Sequence, residues 1–428
     1  MKTRFYNARI LPFVTTEAAL VNGELWVEED RITLVGEANG KTAPKWDREI
    51  DCKGNLLMPG FKNAHTHSGM TFLRSLADDK PLHQWLHEDV FPLEAMLEKD
   101  DIYYLTALAV MEYVSSGMTA SFDMYYRPEL VAQCAIDTGY RIVMCGSAND
   151  FGGTKESLRR EYDTYNNLHP LVSMQLGFHA EYTTSLSLLK DIADLAHEYR
   201  IPVFTHNSET LSETEDCKKR TGMTPTQYLD SLGMFDFGGG GFHCVYFDEA
   251  DIALAKKRGL YVCTNPGSNV KLSSGIAPIQ ELYDAEVPVA IGTDGPASNN
   301  CLDFFREMFL VAGLQKLKNG ADSTDANRIL NSACSVGARM MGLKDCDCLQ
   351  EGKQADLVMI DLHRPNMQPL NNITKNVVYS GSKENVKLTM VRGKILYENG
   401  EFHIGLEPEA VYEKANAIVE RIRKASGR

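Results

Sequence analysis

The stretch 57–67, LMPGFKNAHTH, decides the fold because the pattern of the sequence changes there. Before it, short runs of alternating apolar and polar residues are separated by polar turns, as in residues 3–11, TRFYNARIL, and this alternation is typical of β-strands. After it, from Phe61 to about Met341, short apolar runs alternate with longer segments in which apolar residues recur at helical spacing, such as residues 185–199, SLSLLKDIADLAHEY. A strand-rich beginning therefore gives way to a region in which strands and helices alternate.

Eight strand-like runs lie in the alternating region. The first ends at NAHTH, residues 63–67. The other seven follow in chain order: TASFDM (119–124), RIVMCGS (141–147), VSMQLGF (172–178), PVFTHN (202–207), GGFHCV (240–245), LYVCTN (260–265) and VPVAIGTD (287–294). Eight strands that alternate with helices over this length predict an α/β fold, a (β/α)8 TIM-like barrel, over residues 59–344.

The residues beyond the barrel return to a strand pattern. The runs that carry it are ADLVMIDL (355–362), NVVYSG (376–381) and KLTMVRGKILYENGEF (387–402). We predict that residues 1–58 and 345–428 together form one small β-sandwich domain, built from both ends of the chain. A last helix is expected from about Glu407 to Lys424, within the second of these segments.

Size and charge bound the class of function. The chain has 428 residues, of which 43% are hydrophobic, and this is enough for one large core and a satellite domain. Its formal net charge is −14. A net acidic surface argues against nucleic acids and anionic membranes as partners, because their phosphates are repelled before local contacts form. We therefore expect a small-molecule substrate, with no nucleic acid and no membrane as partner.

The cysteines and the apolar runs favour a location in the cytoplasm. The beginning of the chain, MKTRFYNARILPFV, lacks the apolar run of a signal peptide, and no apolar run approaches the ~20 residues that span a bilayer. Ten cysteines are scattered at irregular spacing, whereas a disulfide framework is expected in a short secreted chain. We interpret them as ordinary thiols in a reducing compartment.

Histidines and one aspartate occur at the ends of four predicted strands. His65 and His67 end the first strand two positions apart, so both imidazoles face the same side. His206, His243 and Asp294 end the fifth, sixth and eighth strands. Because barrel active sites gather at the carboxyl ends of the strands, the five side chains are expected to meet. Imidazole and carboxylate ligands suit zinc, which lowers the pKa of a bound water towards ~7.

Glu209 follows His206 by three positions, in THNSET. A carboxylate beside an activated water can take its proton and pass it to a ring nitrogen, whereas most glutamates are solvated loop acids. A single histidine at a strand end is likewise more often a structural group than a metal ligand. It is the repetition at matching strand ends that favours a catalytic metal site. For His83 and His87, four positions apart in a helical segment, we expect a lid or surface role.

Four stretches carry a resemblance to a known family: LMPGFKNAHTHSGMTFLRSLADD, THNSET, FHCVYFDEADIALAKKRGLYVCTNPGSNVKLSSGIAPI and AIGTDGPASNN. They resemble the amidohydrolase superfamily, and most closely its S-adenosylhomocysteine and 5′-methylthioadenosine deaminase branch, which is related to the triazine hydrolases. The resemblance implies homo-oligomers and one divalent ion, with zinc expected and iron or manganese as alternatives. It implies four metal ligands, namely His65, His67, His206 and Asp294.

The resemblance also implies catalytic and substrate-binding roles. Glu209 would contact the substrate as proton shuttle, and His243 and Asp294 would hold the hydroxide. Trp85 would form an apolar wall. Glu94 would accept hydrogen bonds from ribose hydroxyls, and His179 would contact the purine ring. Without a functional role, Trp85 would be a packed core residue and Glu94 a glutamate on a helix surface. The third and fourth predicted strands lack the lysine that bridges two metals in two-metal members, so one metal ion is favoured.

One departure concerns the residues that would hold a homocysteine carboxylate. The positions that match the arginines of the homocysteine-binding members fall near Cys145 and at Thr154, and neither residue is basic. Lys155 or Arg159 could substitute, although a lysine lacks the planar bidentate grip of an arginine. Within the substrate class that the resemblance implies, this departure argues against S-adenosylhomocysteine and leaves 5′-methylthioadenosine, adenosine or another aminated heterocycle open.

The sequence therefore predicts a metal-dependent hydrolytic deaminase that converts an adenosine-type nucleoside to its inosine analogue and ammonia. One alternative is a deaminase or chlorohydrolase of a triazine, guanine-like or pterin ring, which would not need the contact with Glu94. Another alternative, from a different class, is a non-catalytic metal-binding scaffold on the same barrel. That scaffold would be expected to lack the shuttle acid or a ligand, and this chain keeps them all.

Overall fold

The strands of the computed structural model form two sheets, one of eight strands and one of nine. The structure describes residues 1–15, 19–76, 78–98 and 100–427. The N-terminal strands belong to the nine-stranded sheet, and they are β1 (Lys2–Ile10), β2 (Val21–Glu28), β3 (Arg31–Gly36), β4 (Arg48–Asp51) and β5 (Leu56–Pro59).

The eight-stranded sheet is the predicted barrel. Its strands are β6 (Phe61–Thr66), β7 (Met118–Asp123), β8 (Arg141–Cys145), β9 (Val172–Ala180), β10 (Val203–Asn207), β11 (Gly239–His243), β12 (Tyr261–Thr264) and β13 (Val289–Ile291). They pair in chain order, and every pair is parallel. Most of them are buried along their whole length, which explains the continuous apolar runs of the sequence.

Hydrogen bonds between the first and last strands close the barrel at its carboxyl end. The backbone N–H of Asp294, just after β13, donates to the carbonyl of His65 on β6 at 3.0 Å. The Asn63 side chain donates to the Thr293 hydroxyl at 2.8 Å and accepts from the Thr293 backbone N–H at 2.9 Å. Asp294 is therefore locked directly beside the strand that carries His65 and leads into His67.

The C-terminal strands complete the nine-stranded sheet, and they are β14 (Leu357–Ile360), β15 (Val386–Val391), β16 (Lys394–Glu398) and β17 (Glu401–Phe402). Antiparallel pairing of β5 with β14, with Pro59 opposite Leu357, joins strands from the two ends of the chain. Residues of both groups, including Phe5 and Met390, share a separate hydrophobic core. The predicted fold class is thus confirmed, and the division of the chain into domains at residues 58 and 345 stays a prediction.

Helices cover the outside of the barrel and its carboxyl end. In chain order they are α1 (Leu82–Trp85), α2 (Phe91–Glu94), α3 (Asp101–Ser115), α4 (Pro128–Thr138), α5 (Lys155–Tyr165), α6 (Leu186–Tyr199), α7 (Leu211–Thr221), α8 (Pro225–Ser231), α9 (Glu249–Arg258), α10 (Pro266–Lys271), α11 (Ile279–Asp284), α12 (Phe304–Asn319), α13 (Ala326–Asn331), α14 (Gly337–Met340), α15 (Ile373–Tyr379) and α16 (Pro408–Ser426). Short π-helical turns at Leu86–Val90 and Ser332–Val336 link α1 to α2 and α13 to α14.

The strand prediction for NVVYSG, residues 376–381, is wrong. These residues lie at the end of α15, whose first turn is capped by the Asn372 side chain, which accepts from the Lys375 backbone N–H at 2.9 Å. Val377 and Val378 are buried against the main core. Tertiary packing of this β-branched pair has overridden its strand preference. The predicted last helix is confirmed as α16.

Aromatic rings from β7, β10 and β11 pack together inside the barrel. Phe122 lies 5.1 Å from Phe204 and 5.7 Å from Phe242, centroid to centroid, in edge-on contacts. These rings form the floor beneath the histidines at the carboxyl end. None of the helices in the described part of the chain combines the length and the apolar character that a bilayer-spanning segment requires.

Candidate active site

The structure brings together the five side chains predicted at the strand ends. His65 lies on β6, with His67 immediately after it, while His206 and His243 lie on β10 and β11. Asp294 follows β13 in a left-handed backbone conformation, with φ at 58°. All five are buried or nearly so. Parallel strands that end at one rim place them there, as the barrel prediction requires.

His65 is buried at the bottom of this group without a conventional hydrogen-bond partner. Its ring stacks on Phe242 with 3.9 Å between centroids. Neither ring nitrogen makes a hydrogen bond to any residue that the structure describes. The Nε2 atom lies 3.4 Å from Asp294 Oδ1, outside hydrogen-bonding geometry. Because burial lowers the pKa of His65 to about 3, the ring is neutral and offers a lone pair, as a metal ligand must.

Three other histidines are anchored through Nδ1. His67 Nδ1 donates to the Met124 carbonyl at 2.5 Å and His206 Nδ1 to the His179 carbonyl at 2.6 Å. His243 Nδ1 donates to the Asn269 side-chain oxygen at 2.7 Å. An N–H donated from Nδ1 leaves the Nε2 lone pair free and fixes the orientation of the ring. All three Nε2 atoms are thus prepared to bind a cation or hold a water.

Asp294 is held as a carboxylate by several donors. The Ser268 and Ser298 hydroxyls donate to Oδ2 at 2.6 and 2.7 Å, and the Gly295 backbone N–H donates to Oδ1 at 2.7 Å. Burial opposes ionisation, but the imidazole of His67, whose Nε2 lies 3.1 Å from Oδ1, holds the pKa of Asp294 well below its usual range. The carboxylate therefore carries the negative charge of the site.

The donor atoms form two overlapping groups that fit one divalent ion. His65, His206 and His243 place ligand atoms within 4.8 Å of one another, and so do His65, His67 and Asp294. Three or four imidazole and carboxylate ligands are the set that catalytic zinc takes, with one position left for water. The unpartnered ring of His65 is what such an ion would satisfy. The residues present thus fit the metal that the sequence analysis expects.

Glu209 is buried beside these ligands. Its Oε2 lies 3.8 Å from His243 Nε2. Burial raises the pKa of Glu209, while the neighbouring His243 opposes the rise, and a raised pKa suits a carboxyl that takes up and passes on a proton. The backbone N–H groups of Ser208 and Glu209 donate to the Glu213 carboxyl at 3.0 and 2.8 Å. Glu213, which also forms the capping box of α7, thus fixes the loop that aims Glu209.

A cavity of about 680 Å³ opens over the ligands. The predicted substrate contacts Trp85, Glu94 and His179 all line it. Glu94 is buried, accepts a hydrogen bond from the Tyr125 hydroxyl at 2.7 Å and has its pKa raised to about 7 by burial. His179 Nδ1 lies 2.9 Å from the Thr183 hydroxyl, so its other nitrogen is free to meet a ligand. The cavity therefore joins the metal-type ligands to a wall that can bind a polar ligand.

Two basic residues that could have held a carboxylate lie elsewhere. Lys155 and Arg159 are on α5 and pair with Asp194 and Glu198 of α6, the former at 3.4 Å. Neither lines the cavity. His83 and His87, which were expected at a lid or surface, are both exposed. His87 lines the mouth of the cavity.

Several supporting residues were missed by reasoning from the sequence. They are Tyr125, Glu213, Ser268, Asn269 and Ser298. Three of them lie in the stretches NPGSNV and AIGTDGPASNN, so proximity to the strand ends was an available signal. Their partners could not be read from spacing, because each hydrogen bond joins side chains from different loops or adjacent turns.

Residues 56–396 match the amidohydrolase family, and the chain belongs to that family. The match covers the barrel and, in the nine-stranded sheet, β5, β14, β15 and the start of β16. The chain is accordingly an enzyme, a hydrolase that acts on C–N bonds. This confirms the family resemblance seen in the sequence.

Relatives and a solved structure narrow the comparison. The chain is 35% identical to a 5-methylthioadenosine/S-adenosylhomocysteine deaminase of Dictyoglomus thermophilum, over 91% of this chain and 92% of the relative. It is 35% identical to a 5′-deoxyadenosine deaminase of Methanobrevibacter smithii, over 95% of each chain. The crystal structure of an adenosine deaminase from Xanthomonas campestris with bound zinc superimposes with a TM-score of 0.93 at 31% identity, covering 99% and 98% of the two chains.

Proposed function

We propose that the chain is a metal-dependent deaminase that hydrolyses the 6-amino group of an adenosine-type nucleoside. The substrate class comprises 5′-methylthioadenosine, S-adenosylhomocysteine and adenosine, and the products are the inosine analogue and ammonia. Relatives about 35% identical over nearly the whole chain carry out deaminations of this kind by name. The observation that carries the proposal is the single cavity that Glu209 and the ligand-type histidines share with Trp85 and Glu94.

Four side chains are proposed as ligands of one ion, and they are His65, His67, His206 and Asp294. Zinc is the proposed metal because imidazole and carboxylate donors suit it, and the solved relative holds zinc. When bound, such an ion supplies a water of lowered pKa. His243, whose Nδ1 is tied to Asn269, would then present Nε2 to that water.

The proposed proton transfers use residues that face the cavity. Glu209 takes a proton from the water and delivers it to N1 of the purine. The protonated N1 can then accept the electron pair that is displaced when the water oxygen adds to C6. His243 and Asp294 hold the added oxygen. The remaining hydroxyl proton then passes to the exocyclic nitrogen, the C6–N bond breaks, and ammonia leaves. His179 and Trp85 contact the ring, while Glu94 accepts from the ribose hydroxyls.

Two other functions compete, and each predicts something different. A deaminase or chlorohydrolase of a triazine, guanine-like or pterin ring has no ribose for Glu94 to bind. A non-catalytic metal-binding scaffold has no use for a buried acid such as Glu209 beside the ligands. The homo-oligomeric state and the cytoplasmic location also stay predictions.

An ammonia-release screen tests the proposal. We expect turnover with adenosine, 5′-methylthioadenosine or S-adenosylhomocysteine and about one metal ion per chain by elemental analysis. Activity confined to guanine, pterin and melamine-type rings would reject the nucleoside assignment. Absence of all turnover by the metal-loaded protein would favour the scaffold. Two ions per chain would contradict the one-metal proposal.

The variant Glu209→Gln tests the proton shuttle. Because a glutamine cannot carry the proton, kcat is expected to fall roughly 10²- to 10⁴-fold while the metal content is unchanged. The matched control is Glu215→Gln, which changes an exposed glutamate on the same loop-and-helix unit and should leave kcat unaltered. Near-normal turnover by metal-loaded Glu209→Gln would show that the shuttle is misassigned.

A further inference from the structure

The walls of the cavity carry acids but no strong base. Glu94, Glu209 and Asp294 line it, and no lysine or arginine does so within the described residues. Its titratable bases are histidines, most of them anchored near the proposed metal. Among the described residues, no lysine or arginine of the cavity wall would therefore meet a ligand away from the reacting end.

Three basic residues outside the cavity are paired with acids. Lys155 and Arg159 pair with acids on α6. Arg220, at the end of α7, donates to both oxygens of the buried Glu181, at 3.0 and 2.6 Å. To reach into the cavity, each would have to leave a carboxylate behind. These three basic side chains are therefore held away from the cavity by their acidic partners.

Phe151 stands at the mouth of the cavity with 86% of its surface exposed. It is held by a tight turn in which Asn149 and Gly152 exchange backbone hydrogen bonds of 2.9 and 3.1 Å. The Phe151 backbone N–H donates to the Asn149 side-chain oxygen at 2.9 Å. The turn is docked on the next loop, where the Asp150 backbone N–H donates to the Thr183 carbonyl at 3.0 Å. The ring is thus positioned by its backbone rather than by packing.

Other half-exposed aromatic side chains surround the same mouth. Phe91, Tyr126 and Tyr182 line the cavity, and each exposes more than a third of its surface. Tyr126 stacks on Tyr125, 4.4 Å between centroids, which orients it. Together with Phe151 these rings form an apolar collar around the opening, and no lysine or arginine among the described residues lines the cavity that it surrounds.

We propose that this enzyme selects nucleosides whose 5′ substituent is uncharged and apolar, and that Phe151 contacts that substituent. The inference rests on the proposed function, because it takes the amino group at the metal end and the ribose at Glu94 as given. With these two ends placed, the 5′ substituent of the sugar faces the mouth of the cavity and its collar. A methylthio or methyl group there is removed from water against the rings. A phosphate or an amino-acid carboxylate loses hydration and gains no partner.

Wild-type enzyme should therefore rank substrates by the charge of the 5′ group. We expect kcat/KM for 5′-methylthioadenosine and 5′-deoxyadenosine to exceed that for S-adenosylhomocysteine and for adenosine 5′-monophosphate by roughly 30-fold or more. Comparable kcat/KM values for the neutral and the charged substrates would overturn the inference while leaving the proposed deamination intact. Failure to deaminate any of these nucleosides would instead reject the proposed function.

Substitutions at Phe151 assign the selection to that residue. Phe151→Ala should raise KM for 5′-methylthioadenosine roughly tenfold and change KM for adenosine by less than about threefold. The reason is that only 5′-methylthioadenosine has an apolar 5′ group to bury. Phe151→Arg should lower the preference for 5′-methylthioadenosine over the charged substrates. It should raise kcat/KM for adenosine 5′-monophosphate roughly tenfold, because it supplies a cation. The control Leu317→Ala removes a similarly exposed apolar side chain, 80% exposed on α12. It should change neither KM for 5′-methylthioadenosine nor kcat/KM for adenosine 5′-monophosphate.

The variants also separate selection from mere support of the turn. An equal loss with all substrates in Phe151→Ala would overturn the inference, since it would indicate a structural role. No change in either Phe151 variant would overturn it too. Loss confined to 5′-methylthioadenosine and 5′-deoxyadenosine, with gain on the phosphate in Phe151→Arg, is the result that supports it.

Discussion

At the scale of single residues, Glu94 combines two properties that bear on substrate binding. One of its oxygens accepts from the Tyr125 hydroxyl, and its pKa is raised to about 7 by burial. Below that pH the side chain is a neutral acid that retains a proton. Above it, the second oxygen becomes a full acceptor for the proposed ribose hydroxyls, because the carboxylate has no proton of its own.

We therefore predict that KM for 5′-methylthioadenosine falls as the pH rises through about 7. Glu94→Gln should raise KM roughly 10- to 100-fold and abolish this pH component, since a hydrogen bond to a charged group is lost. The control substrate is 2′,3′-dideoxyadenosine, which lacks the hydroxyls. Its KM should be insensitive both to Glu94→Gln and to this titration. An equal effect on the dideoxy substrate would contradict the ribose contact.

At the scale of secondary-structure elements, α12 braces α10 and the loop after β13, the two segments whose serines hold Asp294. Glu307 on this helix is fully buried and accepts from the Gly267 backbone N–H at 2.9 Å and from the Asn299 side chain at 2.8 Å. Gly267 precedes Ser268, and Asn299 follows Ser298, the two serines that donate to Asp294. We infer that Glu307 is a positioning residue for the carboxylate.

Glu307→Ala should lower both stability and turnover. Two buried donors would be left without an acceptor, which costs about 2–5 kcal/mol in the free energy of unfolding. Burial raises the pKa of Glu307 to about 8. Glu307→Gln keeps one acceptor oxygen but turns an amide nitrogen towards the other donor, so it should cost less than Glu307→Ala without restoring the wild-type values. Denaturant unfolding and kcat/KM are the measurements. Wild-type kcat/KM in folded Glu307→Ala would disprove the positioning role.

At the scale of the whole molecule, one buried ion pair joins the barrel to the nine-stranded sheet. Arg141 on β8 donates to both oxygens of Asp356, at 3.0 and 3.2 Å, and to the Gln354 side chain at 2.7 Å. Asp356 also accepts from the Arg392 backbone N–H at 2.8 Å. Because both charges are almost fully buried, each depends on the other for compensation.

Arg141→Met should destabilise the protein by about 3–5 kcal/mol, because it leaves a buried carboxylate unpaired. The matched control is Arg159→Met, which breaks an exposed pair with Glu198 and should cost less than about 1 kcal/mol. Denaturant unfolding measures both changes. Activity per folded molecule should be unchanged in either variant, since neither arginine lines the cavity. Equal stabilities of the two variants would contradict the role given to Arg141.

The barrel and the ligand-type residues were predictable because they depend on local periodicity. Alternation with a period of two and of about 3.6 residues follows from backbone geometry, so the strand and helix order could be read directly. The spacing of His65 and His67, and the recurrence of His206, His243 and Asp294 at strand ends, followed from the same rule. The strand prediction for NVVYSG, residues 376–381, was wrong because packing against the main core, rather than local preference, decides the conformation of this stretch.

The sequence by itself thus determined the barrel, the family and the side chains expected at the metal end. Only the tertiary structure decided what orients and surrounds them: Asn269 behind His243, Glu307 behind α10 and the loop after β13, and Phe151 at a cavity that no described lysine or arginine lines. The physical reason is the range of the interactions. Hydrogen bonds between different loops, and the charge of a cavity wall, join residues far apart in the chain, and no local spacing encodes which of them meet.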